Sequence, residues 1–206
     1  NPYLGQDYDD AEIEEQITIA KLHAERPADI PTTVSALLID GCIVGWHQAR
    51  MEFGQRALGA RSILADPRDA AIRDRINQAV KFRESFRPFA PAVLAEEASK
   101  WFEMPRLLHA PYMEKVLYIR PEMRERIPAV VHADGSGRVQ TVDKKLNPIF
   151  HSLIAAFGKA TGVPIVLNTS FNINNEPIVE SPADALRTFF SSGLDALVLG
   201  PYLLCK

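Results

Sequence analysis

Apolar positions along this chain alternate between helical and strand spacing, and the changes of rhythm mark its elements. Ile13, Ile17, Ala20 and Ala24 fall on one helical stripe. Asp9 or Asp10 can cap it and acids fill the first turn, which predicts a helix over roughly 11–25. Pro27 and Pro31 interrupt the pattern. Thr32 or Thr33 then starts a short helix, Val34–Ile39, that Gly41 closes. Cys42–Gln48 (CIVGWHQ) reads as a buried strand and Ser62–Ala65 as a second. Asp66-Pro67-Arg68-Asp69 has the order of a helix start, with a capping acid, a first-turn proline and an acid three positions after the cap. That helix is predicted to reach about Val80 and to bury Ile72, Ile76 and Val80.

Pro88 and Pro91 force an extended path into Ala92–Leu94. Glu96–Glu103 reads as helix, and Met113–Ile119 alternates like a strand. Asp134-Gly135-Ser136-Gly137 is a turn before a strand at Arg138–Val142. Asn147–Ala160 is amphipathic and stops near Gly162. Val163–Leu167 is a short apolar strand, and Asn168–Asn175 a polar loop. Ser181-Pro182-Ala183-Asp184 repeats the capping logic, and Ala196–Leu199 is a closing strand. Irregular alternation with some hairpin links predicts an α/β fold: a mixed sheet covered by helices, not a regular doubly wound sheet. One domain over 1–206 is the simplest division, with residues 1–9 as a lead-in. The chain starts Asn1-Pro2-Tyr3, without Met, and reads as a piece of something longer.

Composition narrows the function classes. An apolar share of 47% allows a substantial core, and a charged share of 24% disfavours disorder. Cys42 and Cys205 form neither a disulfide framework nor a zinc pattern and suit a reducing cytoplasm. No apolar run reaches membrane-spanning length, so no membrane partner is expected. Charge is uneven. Nine of the 23 Lys and Arg residues lie between Arg50 and Arg87, against five acids. That segment carries +4 in a chain of net −3. A basic island in an acidic protein suits a local anion site better than a nucleic-acid-coating surface.

Within the island, Gly54-Gln55-Arg56-Ala57-Leu58-Gly59 sets an arginine between two glycines, which permit tight turns and close ligand approach. Lys81, Arg83 and Arg87 follow, outside the helix and before Pro88. Arginine's planar fork matches phosphate and carboxylate oxygens. Glu52, Asp69, Asp74 and Glu84 could neutralise these cations, most readily Arg73 and Arg75 on the helix. A second cluster, Leu167-Asn168-Thr169-Ser170-Phe171-Asn172, places hydroxyls and amides directly after a buried strand, where α/β folds hold ligands. An ordinary Asx or Ser/Thr turn is the competing explanation. The five histidines show no ligand spacing, and no GxSxG, Walker or GxGxxG motif is present.

Several blocks in order resemble the NodU/CmcH-type O-carbamoyltransferases: Met51–Gly59, Arg61–Arg68, Val80–Glu84, Phe86–Pro91, Pro111–Met113, Asp134-Gly135 with Arg138–Val142, Leu167–Asn172 and Glu176-Pro177. Gln55 stands where that family more often has proline, a change of loop rigidity more than of chemistry. The resemblance is to the C-terminal half of the family, which is similar to YrdC-like domains. Lys81-Phe82-Arg83 and Ser170-Phe171-Asn172 look like the Lys-x-Arg and Ser-x-Asn elements of those domains. It implies a YrdC-like twisted open mixed sheet with flanking helices. It also implies an actin-like ATPase-type N-terminal half, in the same polypeptide, that binds the acceptor.

The implied reaction makes carbamoyl adenylate from carbamoyl phosphate and ATP, with Mg2+. Arg56, Lys81 and Arg87 would be catalytic. Arg138, Ser170, Asn172 and Thr169 would line the pocket, with Arg83 and Arg61 orienting ligand or bracing the loop. Two alternatives are a threonylcarbamoyl-adenylate synthase relative, against which RALG…RSILADPR speaks, and a non-catalytic module that binds ATP or RNA or docks to the other half.

Overall fold

The computed structural model describes residues 1–84, 87–105 and 108–206, so Phe86 of the motif set lies outside the described residues. Eight strands form one sheet: β1 (Val44–His47), β2 (Arg61–Ala65), β3 (Ala90–Leu94), β4 (Lys115–Tyr118), β5 (Ser136–Val142), β6 (Ile165–Ser170), β7 (Ala196–Leu199) and β8 (Tyr202–Cys205). Their order is β4-β5-β3-β6-β2-β1-β7-β8. The β1–β7 and β3–β5 pairs are parallel and the others antiparallel. This is the mixed sheet that the hydrophobic pattern predicts. Strands β1, β2, β3 and β7 are buried along their whole length, whereas edge strand β4 alternates half-buried and exposed.

The helices are α1 (Asp10–Ile19), α2 (Ile30–Ile39), α3 (Ala71–Ala79), α4 (Ala98–Trp101), α5 (Pro148–Thr161) and α6 (Pro182–Phe190). Helix α2 packs along α5, which lies on β3 and β6, while α6 lies on β1 and β7. Local chemistry explains most boundaries. Asp9 and Glu12 form a reciprocal capping box on α1, as Ser181 and Asp184 do on α6. Asn147 caps α5, which ends where Gly162 takes the left-handed conformation at φ +73°.

Several expectations are corrected. Helix α1 stops at Ile19, followed by Lys21 at φ +54°, and Glu25 instead bridges to Leu203. Helix α2 starts at Ile30 under an Asp29 cap, so Pro31 sits in its first turn rather than breaking it. Asp66 caps nothing. Its carboxylate accepts from the Arg68 amide and guanidinium, and α3 begins at Ala71 without a side-chain cap. Helix α4 is a single turn. The polar run from Asn168 is strand up to Ser170, and β8 hairpins back along β7.

Register places the site. Ser62 at the start of β2 faces Ser170 at the end of β6. Ala90 at the start of β3 faces Asn168, and β3 runs parallel to β5. The starts of β2, β3 and β5 and the end of β6 therefore meet at one end of the sheet.

Candidate active site

Helix α3 ends at Ala79, and Lys81 follows it inward, only 4% exposed. Its ammonium donates to Ser170 O at 2.6 Å, Asn172 Oδ1 at 2.7 Å and Asn172 O at 2.9 Å, and contacts Ser170 Oγ at 3.3 Å. Ser170 Oγ in turn donates to Asn172 Oδ1 at 2.7 Å, and Asn172 Nδ2 to Glu176 O at 2.7 Å. The Lys-x-Arg and Ser-x-Asn elements, some 90 residues apart in sequence, are thus one hydrogen-bonded unit. Burial first, and Arg83 second, push the Lys81 pKa down to about 7. Between them, Phe82 adopts φ +46° with its ring 53% exposed. A left-handed aromatic residue is a strained position, and here it turns Lys81 and Arg83 to separate partners.

The arginines form a series of cationic neighbours. Arg83 Nε donates to Asn77 Oδ1 at 2.8 Å while its guanidinium stacks on Phe89, 5.0 Å from the ring centroid. Burial, then Arg87, lowers its pKa; Glu84 opposes and Arg138 adds to the lowering. Arg87 is exposed and pairs with Glu84 at 3.1 Å. Arg138, half-buried on β5, is lowered by burial and then by Arg56. Arg56 borders a groove of about 340 Å3 shared with Phe53, Gly54 and Tyr112. Among the described residues no carboxylate lies within salt-bridge distance of Arg56, Lys81, Arg83 or Arg138. Cations held side by side without acids cost folding free energy that a bound polyanion offsets. A separate groove of about 720 Å3, lined by Tyr8, Arg26, Asp29 and His47, contains none of them.

Two of the named residues are not brought to this cluster. Arg61 is 0% exposed, and its guanidinium donates to carbonyls of Glu180, Gln48, Ala49, Ala60 and Gln6. It braces chain segments around β2, and burial pushes its pKa down to about 10. Thr169 pairs with Ile63. Strand alternation sends its side chain to the sheet face opposite Ser170. The His132-Ala133-Asp134 run is a turn, with Asp134 Oδ1 accepting from the amide and hydroxyl of Ser136. The helix arginines also lie apart, Arg75 reaching Asp195 at 2.6 Å.

Sequence reasoning missed what holds the Arg56 loop. Glu52, expected to neutralise an arginine, is buried and accepts from the amides of Leu58 at 2.6 Å, Ala60 at 2.7 Å and Arg61 at 3.3 Å. From the other side, Gln140 Nε2 and Tyr3 Oη donate to Leu58 O, and Trp46 Nε1 to Gly59 O. Gly59 has φ +101°, and a Cβ there would stand 2.2 Å from the Phe150 ring. An acid six to nine residues before the amides it accepts from, in a glycine-bounded loop, is the one local signal for this clamp.

The family model described as "Carbamoyltransferase C-terminus" matches residues 35–206. The nodulation protein NolNO of Sinorhizobium fredii is 49% identical over 99% of this chain and 31% of its own length. NolO of Bradyrhizobium diazoefficiens is 47% identical over 100% of this chain and 37% of its own. The 3'-hydroxymethylcephem-O-carbamoyltransferase of Amycolatopsis lactamdurans is 41% identical over 81% of this chain. The chain thus spans about a third of the length of these relatives. Among solved structures, full-length HypF in its phosphate- and nucleotide-bound form matches with a TM-score of 0.60 and 17% identity, over 86% of this chain and 22% of that one. Sua5 of P. abyssi complexed with L-threonine also gives 0.60, at 15% identity, over 82% of this chain and 46% of that one. At such identities the likeness is one of fold, and that fold is YrdC-like.

Proposed function

This chain belongs to the carbamoyltransferase C-terminus family, and from that premise we propose that it is the carbamoyl-activating part of an O-carbamoyltransferase. In this reading water splits carbamoyl phosphate at its P–O bond, giving carbamate and phosphate. A carbamate oxygen attacks the α-phosphorus of ATP, the bond to the β-phosphate bridging oxygen breaks, and carbamoyl adenylate and pyrophosphate form. A hydroxyl acceptor bound elsewhere in the polypeptide then takes the carbamoyl group and AMP leaves.

The observation that carries the reading is the set of cations whose charged neighbours are mostly other cations: Lys81, Arg83, Arg87, Arg138 and Arg56. Two polyanions must be brought together, and charge accumulates on phosphate oxygens as the α-phosphorus is attacked. Cations fixed beforehand by Ser170, Asn172, Asn77 and Phe89 supply that stabilisation without reorganising. Magnesium would arrive on the nucleotide's phosphates. Among the described residues no group of three His, Cys, Asp or Glu side chains converges to hold it.

The test is exchange of radiolabelled pyrophosphate into ATP. The expected result is exchange that depends on carbamoyl phosphate and falls by about 10²–10³ in Lys81→Ala or Arg138→Ala. Exchange supported by threonine plus bicarbonate instead, or undiminished in both variants, overturns the proposal.

A further inference from the structure

Asn168 lies on β6, 1% exposed, two residues before Ser170 and on the same face of the sheet. The orientation of its amide is settled by its neighbours. Gln140 Nε2 donates to Leu58 O at 2.7 Å, so Gln140 Oε1 must accept, and it accepts from Asn168 Nδ2 at 2.8 Å. The same Nδ2 donates to Ala57 O at 3.3 Å. Two acceptors therefore hold the nitrogen, and the oxygen is turned away from both. Asn168 Oδ1 is buried and accepts no hydrogen bond among the described residues.

A second buried atom in the same neighbourhood has the opposite need. Arg138 Nε, a donor, also has no partner. Arg138 stands two residues before Gln140 on β5, which brings it level with Ala90, and Ala90 pairs with Asn168 on the far side. The two residues that carry this lone acceptor and lone donor thus flank Ala90, within a site rich in cations. Leu58 and Met113 pack with Ala90 there as a small apolar cluster. Buried polar atoms normally find partners, so a complementary pair left open at an anion site points to a ligand carrying both an N–H and an oxygen beside its negative charge.

We propose that Asn168 is the specificity-determining residue of this site, its Oδ1 accepting from the amino group of the carbamoyl substrate while Arg138 Nε donates to an oxygen. The inference rests on the function proposed above and adds to it a basis for choosing the substrate. Acetyl phosphate, which replaces the amino group with a methyl, would leave Oδ1 buried and unpaired and should be rejected.

The experiment is calorimetric titration of the intact natural polypeptide, and of variants, with carbamoyl phosphate and with acetyl phosphate. The wild type is expected to prefer carbamoyl phosphate by at least about tenfold, the worth of one buried hydrogen bond. Asn168→Ala should bring the two affinities close together. Asn168→Asp retains an acceptor oxygen and should weaken both ligands while keeping the preference. Because the readout is a ratio within one protein, a general packing defect moves both affinities and leaves it unchanged. A wild type with no preference, or a preference undiminished in Asn168→Ala, overturns this inference alone. A wild type that binds neither phosphate overturns the functional reading as well.

Discussion

Lys81 is the residue at which folding and binding oppose each other most directly. Its ammonium is buried, with Arg83 adding positive charge nearby, and its pKa falls to about 7. The sign follows from proton counting. Between the ordinary lysine value of 10.5 and about 7, the unfolded chain holds a proton that the folded chain has released. Stability contributed by this group therefore rises with pH across that window and is lost as pH falls towards 7. An anion in the site reverses the preference by favouring the charged form. Phosphate-ligand affinity is therefore expected to weaken as pH rises from 6 to 9. In Lys81→Arg, whose side chain stays protonated, that limb should flatten. Affinities measured by titration at several pH values check this, and equal pH slopes in the two proteins would show that Lys81 is not the titrating group. Arg61 makes the opposite case. It is also buried, but it lies outside the cation cluster and all its donors end on backbone carbonyls around β2, so its charge serves the scaffold.

At the level of elements, the loop between Glu52 and Arg61 behaves as one part held from both sides. Glu52→Ala would leave the amides of Leu58, Ala60 and Arg61 buried without acceptors. A loss of about 2–4 kcal/mol is expected, readable as a lower urea midpoint. The KM for carbamoyl phosphate should rise together with that loss, because Arg56 rides on the same loop. An unchanged midpoint would show that the clamp contributes little. The clamp also shows where the sequence stops being readable. Asp9 and Ser181 act within three residues of themselves, and their caps were legible from spacing alone. Asp66 had the same appearance, but the Arg68 guanidinium two residues on took its carboxylate. Glu52 looked like an ion-pair partner because acids near arginines usually are. Its real partners, main-chain amides in a folded loop, have no side-chain signature.

For the whole molecule, the site exists because sheet order places β5, β3, β6 and β2 side by side. The cations and polar side chains were recognisable as types in their motifs. Their meeting in one site was expected, but its place at one end of the sheet was not readable, since it depends on pairings between residues more than 70 apart, such as Ala90 with Asn168 and Ser62 with Ser170. The core that supports this register runs from Ile13 to Leu204, so the activation step proposed above would have its scaffold within this chain. Transfer is another matter. The chain spans 31% and 37% of its two nodulation-protein relatives. If acceptor binding belongs to the remainder, the two half-reactions should separate physically. The 206-residue chain expressed alone is expected to support pyrophosphate exchange with carbamoyl phosphate while giving no carbamoylated hydroxyl product by mass spectrometry. The intact polypeptide should give both. Product formation by the chain alone would place the acceptor site on this sheet. Loss of exchange in a folded chain would show that the cation cluster needs a contribution from outside it to activate the carbamoyl group.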